Sequence, residues 1–494
     1  MITKMIFLNT YAFVCVVLWG SAMTTLADGP KVQYWYQQPL DHFGSKGGGR
    51  TRTFGHRYYV DRAYRDNQAD VDGMSVMAYL GGESSVDDWV GGGGIVTVAA
   101  ARLHALVVYI EHRFYGKSIP LGSIHVALAD PEVRSCLTSE QALADFANVL
   151  RTLKVNLSIP SSPIITFGGS YAGMLAARFR MKYPNITNGS LASSAPILIS
   201  AALPLKRQYC SIVSRDFESE SEVCYQYISR SWGLINKMAS QSDGLDKLSK
   251  TFSTCSPLPS AEELKTYLAG IYNFVAQYNG RFGRISQLCG VVSHASDNIL
   301  KSIGDAVLRL TQGQKCNNMT GIAPKPFTTL DPASETAWDW QWCNELAPYQ
   351  SCGQDTMFER SSSNQSLFSE SCFNTYGTYP HPLWNSTGYS GHDLKNTSNI
   401  IFSNGLLDPY SGASILEDVS ESIIAITTKE GSHCLDLIGE QDDDPKWLKD
   451  QRDKELKIIA KWINAKLSSS NRLLISVPWR SSILVALVIM NLVV

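Results

Sequence analysis

The sequence predicts an α/β fold in which a mostly parallel sheet, covered by helices, is interrupted by an inserted helical domain. Between residues 74 and 200, short β-branched runs alternate with segments of helical spacing, and this alternation is typical of parallel sheets. The alternation stops near residue 200 and returns near residue 396. We therefore expect one sheet domain in two parts, residues 28–199 and 396–467, around an insertion at residues 200–395.

The individual elements follow in chain order. In the first part, buried strands are predicted in MSVMAYLGG, ALVVYIEHR and SPIITFGGS, and helices in SEQALADFANVLRTL and YAGMLAARFRMKY. In the second part, strands are predicted in NIIFSNGLLDPY and SIIAITTKEGSH. A last helix is predicted because a set of apolar residues falls on one helical face: Leu456, Ile459, Ala460, Ile463 and Leu467.

The first 27 residues have the layout of a secretory signal peptide. Lys4 precedes an apolar run from Met5 to Trp19, and a small-residue exit ends at Ala27. The chain has 11 cysteines, and removal of the signal takes away Cys15 and leaves ten. An even cysteine count in an oxidising compartment favours disulfides, up to five of them here.

The inserted segment differs from its flanks because it reads as helices and loops and carries most of the cysteines. Eight of the ten mature cysteines lie from Cys210 to Cys372, and such an even set can pair internally in four bridges. No C-x-x-C pair occurs, so zinc is not expected, and we predict neither a metal nor a cofactor.

Residues 468–494 resemble a C-terminal lipid-anchor signal. Small residues at Ser468–Asn471 are followed by a mixed spacer and by the apolar run Ile483–Val494. That run is shorter than the roughly 20 residues needed to cross a bilayer. We expect a cleaved glycosylphosphatidylinositol (GPI) anchor signal; the alternatives are a poorly ordered tail and a marginal membrane helix.

Composition and sequons favour a globular protein of the secretory pathway. The net charge of -2 and the 44% hydrophobic content give no indication of nucleic-acid binding. We expect a cell-surface or extracellular protein, alternatively a lysosomal one. It should act on peptide substrates, be held at the membrane by a lipid anchor and form a homodimer. The predicted glycosylation sites are Asn156, Asn185, Asn188, Asn318, Asn364, Asn385 and Asn396.

The stretch GGSYAG, in which a strand turns directly into a helix, resembles a nucleophile elbow around Ser170. The sharp turn exposes the serine hydroxyl above the sheet edge, and small flanking residues prevent clashes. The strict pattern is G-x-S-x-G, and here Ala172 occupies the last position. The alternative is an ordinary Gly-Ser turn.

A serine nucleophile needs a base, and the base needs an acid that holds its tautomer. In hydrolases with this elbow the chain order is Ser, then Asp or Glu, then His. Asp408 ends the strand in IIFSNGLLDPY, and His433 follows the next strand in TTKEGSH. We therefore predict the catalytic residues Ser170, Asp408 and His433. Taken singly, Asp408 could instead cap a turn and His433 could be a surface histidine.

An oxyanion intermediate requires backbone donors. One is expected from Tyr171, the residue after the nucleophile, and one from Gly82 or Glu83 in the loop YLGGESS. The Glu83 carboxylate could in addition meet a substrate amino group or pair with a basic neighbour.

Seven segments together resemble the prolyl carboxypeptidase and dipeptidyl peptidase II family of serine exopeptidases. In chain order they are QQPLDHF, EHRFYGKS, LTSEQALADFA, GGSYAGMLAARFRMKYP, WQWCNELAPYQS, SNGLLDPYSG and GSHCLDL. Cys434 in GSHCLDL and the LGGE loop resemble the thymus-specific serine protease branch more closely than prolyl carboxypeptidase. The resemblance implies an α/β-hydrolase domain with a helical cap and the same Ser170, Asp408 and His433 triad.

The resemblance also implies cleavage after proline or a small residue near one peptide terminus, by a carboxypeptidase or a dipeptidyl peptidase. The substrate pocket would be walled by Met174 and by Tyr410, where several relatives carry Trp, so strict proline preference is not implied. EHRFYGKS is interpreted as structural support for the site floor. An esterase or lipase of the same fold and a catalytically silent surface binding protein are the alternative functions.

Two mature cysteines, Cys136 and Cys434, remain outside the cap set. Two leftover thiols in one secreted domain favour a disulfide, which would hold the His433 loop at the rim of the sheet. The alternative is two separate buried thiols.

Overall fold

Eight strands form a single sheet in a computed structural model of the chain. The strands are β1 (Val32–Pro39), β2 (Thr53–Asp61), β3 (Val76–Leu80), β4 (Leu106–Ile110), β5 (Ile164–Gly169), β6 (Gly189–Ser193), β7 (Ile400–Gly405) and β8 (Ile423–Thr428). The structure describes residues 31–44, 52–65, 74–92, 94–199, 205–280, 283–294, 298–310, 315–319, 331–346, 352–353, 355–359, 365–380 and 394–475.

The strand order is β1-β2-β4-β3-β5-β6-β7-β8. β1 and β2 pair antiparallel, as do β2 and β4, and every later neighbouring pair is parallel. Strands β3, β4, β5, β7 and β8 lie within the predicted segments. The α/β-hydrolase prediction is therefore confirmed, while β1, β2 and β6 were not predicted.

The helices divide between the two faces of the sheet and the insertion. They are α1 (Ile95–Leu103), α2 (Ile124–Ala129), α3 (Pro131–Arg134), α4 (Ser139–Asn156), α5 (Ser170–Lys182), α6 (Leu205–Glu220), α7 (Glu222–Ala239), α8 (Gly244–Thr251), α9 (Ala261–Gln277), α10 (Arg284–Val292), α11 (Ile299–Leu310), α12 (Pro332–Gln341), α13 (Gln365–Tyr376) and α14 (Lys446–Ile475).

The sheet is buried on both faces, which explains why its strands are continuous apolar runs rather than alternating ones. On one face, Ala78 and Leu80 of β3 pack with residues of α4 and α5. On the other face, Met77 and Tyr79 of the same strand pack with α1 and α14. Alternation of side chains along the strand therefore supplies two hydrophobic layers.

The insertion contains a helical unit with its own core. Residues of α6 to α11, among them Val213, Leu268, Tyr272 and Ile303, form one buried cluster. The eight cysteines of this region pair internally, as the sequence suggested: Cys210–Cys352, Cys224–Cys289, Cys255–Cys316 and Cys343–Cys372.

Part of the predicted insertion packs on the sheet domain instead. Leu346, in a π-helical turn at Trp342–Leu346, joins the cluster that α4 and α5 form with the sheet. Trp340 of α12 lies in a separate cluster with Phe54 of β2. The segment 331–346 therefore behaves as a strap from the cap back to the sheet domain.

The chain ends lie mostly outside the described residues. The predicted signal peptide at 1–27 and the apolar tail fall there, as do Asn364 and Asn385. Helix α14 continues through Ser468–Asn471 to Ile475, so the predicted boundary at 468 lies inside a helix. Within the described ranges, no helix combines the length and the apolar character needed to cross a bilayer.

The remaining sequons lie at the surface to different extents. Asn156, Asn185 and Asn396 are exposed, whereas Asn188 and Asn318 are half-buried. Asn188 Oδ1 also accepts a hydrogen bond from the backbone amide of Ile164. Glycosylation at each of these positions stays a prediction.

A buried ion pair fixes the end of β4 against α4. Arg113 Nε and Nη2 donate to the two carboxylate oxygens of Asp145 at 2.6 and 2.7 Å, and both side chains are fully buried. His42 Nε2 lies 2.7 Å from the same carboxylate. Burial alone would raise the pKa of Asp145, but Arg113 outweighs it and lowers that pKa to about 2.

We expect Asp145→Asn to lower the free energy of unfolding by about 3–5 kcal/mol, because it leaves the Arg113 charge buried and unpaired. The wild-type contribution is fully present above the unfolded pKa of about 3.9 and is lost as the pH falls towards the native pKa. Urea unfolding at neutral pH measures the loss. Asp305→Asn, which removes an exposed pair with Lys301, is the control and should change stability by less than about 0.5 kcal/mol. Equal effects of the two substitutions would contradict this interpretation.

Candidate active site

Ser170 lies at the turn between β5 and α5 with a positive φ of 55°. This left-handed conformation in a residue other than glycine costs roughly 1–3 kcal/mol and is typical of functional sites. The turn is tight, because a Cβ atom at Gly168 would collide with the Ala172 carbonyl and one at Gly173 would lie 2.7 Å from Ser193 O. The structure thus shows the geometry of a nucleophile elbow at Ser170.

The loop after β8 rests directly on this elbow. A Cβ atom at Gly169 would lie 2.6 Å from Leu437 Cδ1 and 2.8 Å from Cys434 Sγ. The Cys434 amide in turn donates to Ser194 Oγ, at the end of β6, at 2.8 Å. His433 is therefore carried by a loop that contacts the backbone beside Ser170.

Asp408 and His433 form the buried pair that the sequence predicted. His433 Nδ1 lies 2.8 Å from Asp408 Oδ2, and the two residues are 4% and 1% exposed. The other carboxylate oxygen, Oδ1, accepts the Tyr410 amide at 3.0 Å. The pair links the ends of the neighbouring strands β7 and β8. Because Nδ1 is bound to Asp408, Nε2 is the ring nitrogen of His433 that is not bound to the acid.

The cap also contacts this histidine. The His433 amide donates to Gln277 O, the last residue of α9, at 3.1 Å. The rings of Tyr278 and Tyr410 lie 5.8 and 5.4 Å from the imidazole, with Tyr278 edge-on. No sequence motif pointed to Gln277 or Tyr278, because they lie at the end of a helix in the distant insertion.

Burial and the neighbouring Asp408 carboxylate shift the pKa of His433 in opposite directions. Burial lowers the pKa, but the Asp408 carboxylate, with Cys434 adding to it, outweighs burial and raises the pKa well above the ordinary value. Asp408 therefore stabilises the imidazolium form, as a triad acid does.

The predicted oxyanion loop lies against the elbow. A Cβ atom at Gly82 would be 3.2 Å from Ala172 Cβ and 3.5 Å from Ala172 N. The amides of Tyr171 and of the Gly82–Glu83 segment are therefore brought to the same end of the sheet. Glu83 is half-buried there.

The motif EHRFYGKS supports this loop. Glu111 Oε1 accepts the Val86 amide at 3.2 Å and Arg57 Nη2 at 2.5 Å, and its Oε2 accepts Ser118 Oγ at 2.7 Å. Arg57 also reaches Asp87 at 2.9 Å. The loop that carries Gly82 is thus fixed by a buried carboxylate at the end of β4, in agreement with the expected structural role of the motif.

A second contact from the same motif holds Tyr171. His112 Nε2 lies 3.1 Å from the Tyr171 hydroxyl, and Gln341 Nε2 of α12 donates to that hydroxyl at 2.5 Å. The side chain of the residue after the nucleophile is therefore clamped between the sheet domain and the strap. Sequence reasoning missed Gln341, although the motif WQWCNELAPYQS that contains it was recognised.

The two predicted pocket residues have different surroundings. Tyr410 is half-buried, packs edge-on against Tyr209 at 5.1 Å and contacts the cap core. Met174 is 1% exposed and belongs to the core between α5 and the sheet. Tyr410 thus lies beside the buried pair, and a pocket role for either residue stays a prediction.

The proposed Cys136–Cys434 disulfide is wrong, because both cysteines are free and buried. Cys136 packs with Leu40 and Phe114, and its thiol lies 3.4 Å from Glu132 O. Cys434 packs in the cluster that contains Leu437, and its Sγ lies next to Gly169. The pair was predicted by elimination among ten cysteines, but the two side chains pack in different hydrophobic clusters.

Two buried carboxyl groups lie behind the His433 loop and were not predicted. Asp436 Oδ1 accepts Ser193 Oγ at 2.5 Å, and Glu455 Oε1 accepts Ser403 Oγ at 2.6 Å. Each retains one buried oxygen without a hydrogen bond. Burial raises the pKa of both groups, and the Asp436 charge raises that of Glu455 further, against the opposing effect of Arg452. A buried carboxyl with a raised pKa keeps its proton to a higher pH than an exposed carboxyl does.

Within the described residues, no three histidine, cysteine or acidic side chains are grouped so that they could hold a metal ion.

Comparison with known proteins extends these observations to the whole chain. The family model for Serine carboxypeptidase S28 matches residues 38–455. Lysosomal Pro-X carboxypeptidase from Homo sapiens is 35% identical over 459 residues, covering 89% of this chain and 89% of that protein. Thymus-specific serine protease from Homo sapiens is 29% identical over 467 residues, covering 88% and 87%. Overall identity is thus higher to the first of these two, although two local motifs suggested the second.

Among solved structures, proline iminopeptidase from Mycobacterium smegmatis covers 88% of this chain and 100% of its own, with 10% identity and a TM-score of 0.37.

The Asp436–Glu455 pair predicts an unusual pH dependence of stability. A carboxyl whose native pKa is raised contributes stability that is lost as the pH rises from the unfolded pKa of about 4.3 towards the native pKa, at up to about 1.4 kcal/mol per pH unit. Glu455→Gln, which cannot ionise, should flatten this fall between pH 5 and 8 in thermal unfolding. Glu421→Gln, at an exposed position, serves as the control and should leave the slope unchanged. An unaltered slope in Glu455→Gln would show that Glu455 does not retain the proton.

Proposed function

The chain belongs to the Serine carboxypeptidase S28 family, and on that premise we propose that it is a secretory-pathway serine exopeptidase acting through Ser170, Asp408 and His433. The observation that supports this proposal most directly is the buried Asp408–His433 pair, whose nearest atoms lie 2.8 Å apart, with His433 on a loop that contacts the elbow beside Ser170. The order of the three residues along the chain is that of α/β-hydrolases.

In the proposed acylation step, Ser170 Oγ attacks the carbonyl carbon of the scissile peptide bond while His433 Nε2 accepts the hydroxyl proton. Asp408 holds the Nδ1–H of His433 and stabilises the imidazolium that forms. The carbonyl oxygen becomes an oxyanion that the amides of Tyr171 and of Gly82 or Glu83 stabilise. Collapse breaks the C–N bond, and His433 returns the proton to the leaving amine.

In deacylation, water attacks the ester of Ser170, and His433 again accepts the proton. The ester C–O bond breaks, the proton returns to Ser170 Oγ, and the acid product leaves. The same groups therefore act twice, and neither half-reaction requires a redox partner or another co-reactant besides water.

The cap supports cleavage near a chain end rather than within a long chain. Gln277 and Tyr278 at the end of α9 contact His433 directly, so the cap covers the base. A covered site admits the terminal residues of a peptide more readily than an internal loop. The names of the relatives, Pro-X carboxypeptidases, support trimming from the carboxyl end after proline. Met174 and Tyr410 are the proposed pocket residues.

Replacing Ser170 by Ala should reduce kcat/KM by several orders of magnitude while folding and secretion stay intact, because the nucleophile is removed without a change in packing. Hydrolysis of N-blocked proline-containing peptides, compared with short acyl esters, measures the loss and separates a peptidase from an esterase. Ser84→Ala, in the nearby loop, provides a serine control. A correctly folded Ser170→Ala protein that keeps more than about a tenth of the wild-type rate would exclude the proposed nucleophile.

We also propose that the mature protein is held at the cell surface by a GPI anchor, with cleavage near Ser468–Asn471. The support is the sequence pattern of small residues, spacer and apolar tail. The homodimer stays a prediction.

Treatment of intact cells with a phosphatidylinositol-specific phospholipase should release active enzyme into the medium, because only the lipid would hold it. Activity assays on medium and cells before and after treatment measure the release. A variant truncated after residue 467 should appear in the medium without treatment. Detection of the Ile483–Val494 peptide in the mature protein by mass spectrometry would contradict the anchor.

A further inference from the structure

Glu83 is a carboxyl group in the site that the proposed mechanism uses only through its backbone. It follows Gly82, which packs against Ala172 at the start of the elbow helix. The 3-10 turn that follows in this loop, Val86–Asp88, is fixed by Glu111 and Arg57. The side chain of Glu83 is therefore attached to a rigid support next to the reacting carbonyl.

Among the described residues, the positively charged group that acts on Glu83 is protonated His433. Its pKa is raised by burial, although its surface stays partly exposed, and the opposing effects are its own backbone hydrogen bond and the charge of His433. The other titratable groups that its charge affects are hydroxyls on three different elements: Tyr115, Tyr171 and Tyr410. In the described part of the chain, no lysine, arginine or hydrogen-bonding side chain pairs with the Glu83 carboxyl.

A half-buried carboxyl group that follows Gly82 at the elbow and pairs with no side chain of the described residues is a candidate ligand for the free end of an exopeptidase substrate. We propose that Glu83, in its protonated form, binds the C-terminal carboxylate of the peptide and so directs the enzyme to the carboxyl end. This inference rests on the proposed function, because it assumes acyl transfer at Ser170.

Two physical reasons favour the carboxylate over an N-terminal ammonium. First, when a single C-terminal residue is released, its carboxylate lies one residue, about 3.8 Å in Cα spacing, from the scissile bond, whereas the amino group of a dipeptidyl substrate lies about twice as far away. Glu83 is itself beside the expected oxyanion site. Second, an ammonium requires ionised Glu83, and burial disfavours that form, whereas the protonated carboxyl has the O–H donor that a carboxylate accepts.

The proposal predicts a pH-dependent preference for free carboxyl ends. Below the pKa of Glu83 the O–H donates to the substrate carboxylate, and above it two negative charges face each other. The ratio of kcat/KM for an N-acylated prolyl-phenylalanine to that for its C-terminal amide isolates this effect. His433 titrates equally with both substrates, so its ionisation cancels in the ratio.

For the wild-type full-length protein we expect a ratio of about ten to a hundred in acid, the range for a hydrogen bond to a charged group, and a fall in this ratio as the pH rises through the titration of Glu83. Glu83→Gln keeps an N–H donor that cannot ionise, so its ratio should stay above one and lose its pH dependence. Glu83→Leu should bring the ratio close to one at every pH. Asp88→Asn is the matched control, because Asp88 lies in the same loop and its pKa is raised to about 6, but its electrostatic neighbours are Asp87, Asp331 and Glu111 rather than the triad.

Labelling of the active-site serine with a fluorophosphonate separates the possible failures. Labelled Glu83 variants are folded and have a reactive nucleophile, so a change in their ratio reports recognition. A wild type that cleaves neither peptide nor amide overturns the proposed function. A wild type that cleaves both with a ratio independent of pH overturns the role of Glu83 alone, with no variant needed. Loss of cleavage of a free-amino dipeptidyl-proline amide in Glu83→Gln, with an unchanged ratio, would identify an ammonium site and overturn the carboxylate assignment.

Discussion

The close backbone approach at the Ser170 turn is the constraint on which the rest of the site depends. A positive φ at Ser170 is tolerated because Gly168 and Gly169 leave room for the first turn of α5 and for the loop after β8. That room brings the His433 loop onto the backbone beside the serine. The strain at the turn is balanced by the packing of α5 and β5 into a fully buried core.

Buried charges provide the second level of order around this turn. Glu111 with Arg57 fixes the loop that follows Gly82, Arg113 with Asp145 fixes the end of β4, and Asp408 orients His433. Each pair is desolvated, so loss of one partner leaves an uncompensated charge in a low dielectric. Such pairs give geometric specificity, because their hydrogen bonds are satisfied in one arrangement only.

The cap acts on the chemistry through direct contacts rather than as a separate lid. Gln277 and Tyr278 touch His433, while Gln341 of the strap touches Tyr171. His433 and Tyr171 are therefore both contacted by the sheet domain and by the insertion. The disulfides of the insertion close long loops within the cap and its strap, which restricts the unfolded chain and favours this arrangement.

The sequence by itself predicted five of the strands, the cysteine set of the cap and the candidate residues Ser170, Asp408 and His433, because local periodicity and the order of strand ends can be read along the chain. It did not predict β6, a central strand. Gly189 is required there by the close approach of Trp462, and the Ser190 hydroxyl forms a hydrogen bond with Thr166. Glycine and serine at these positions make the segment resemble a turn in the sequence. The sequence also paired Cys136 with Cys434 by counting, whereas packing separates them. Only the tertiary structure decided which buried carboxyls influence each other's charge, as Asp436 and Glu455 do, because long-range proximity depends on how distant segments pack and leaves no periodic signal in the chain.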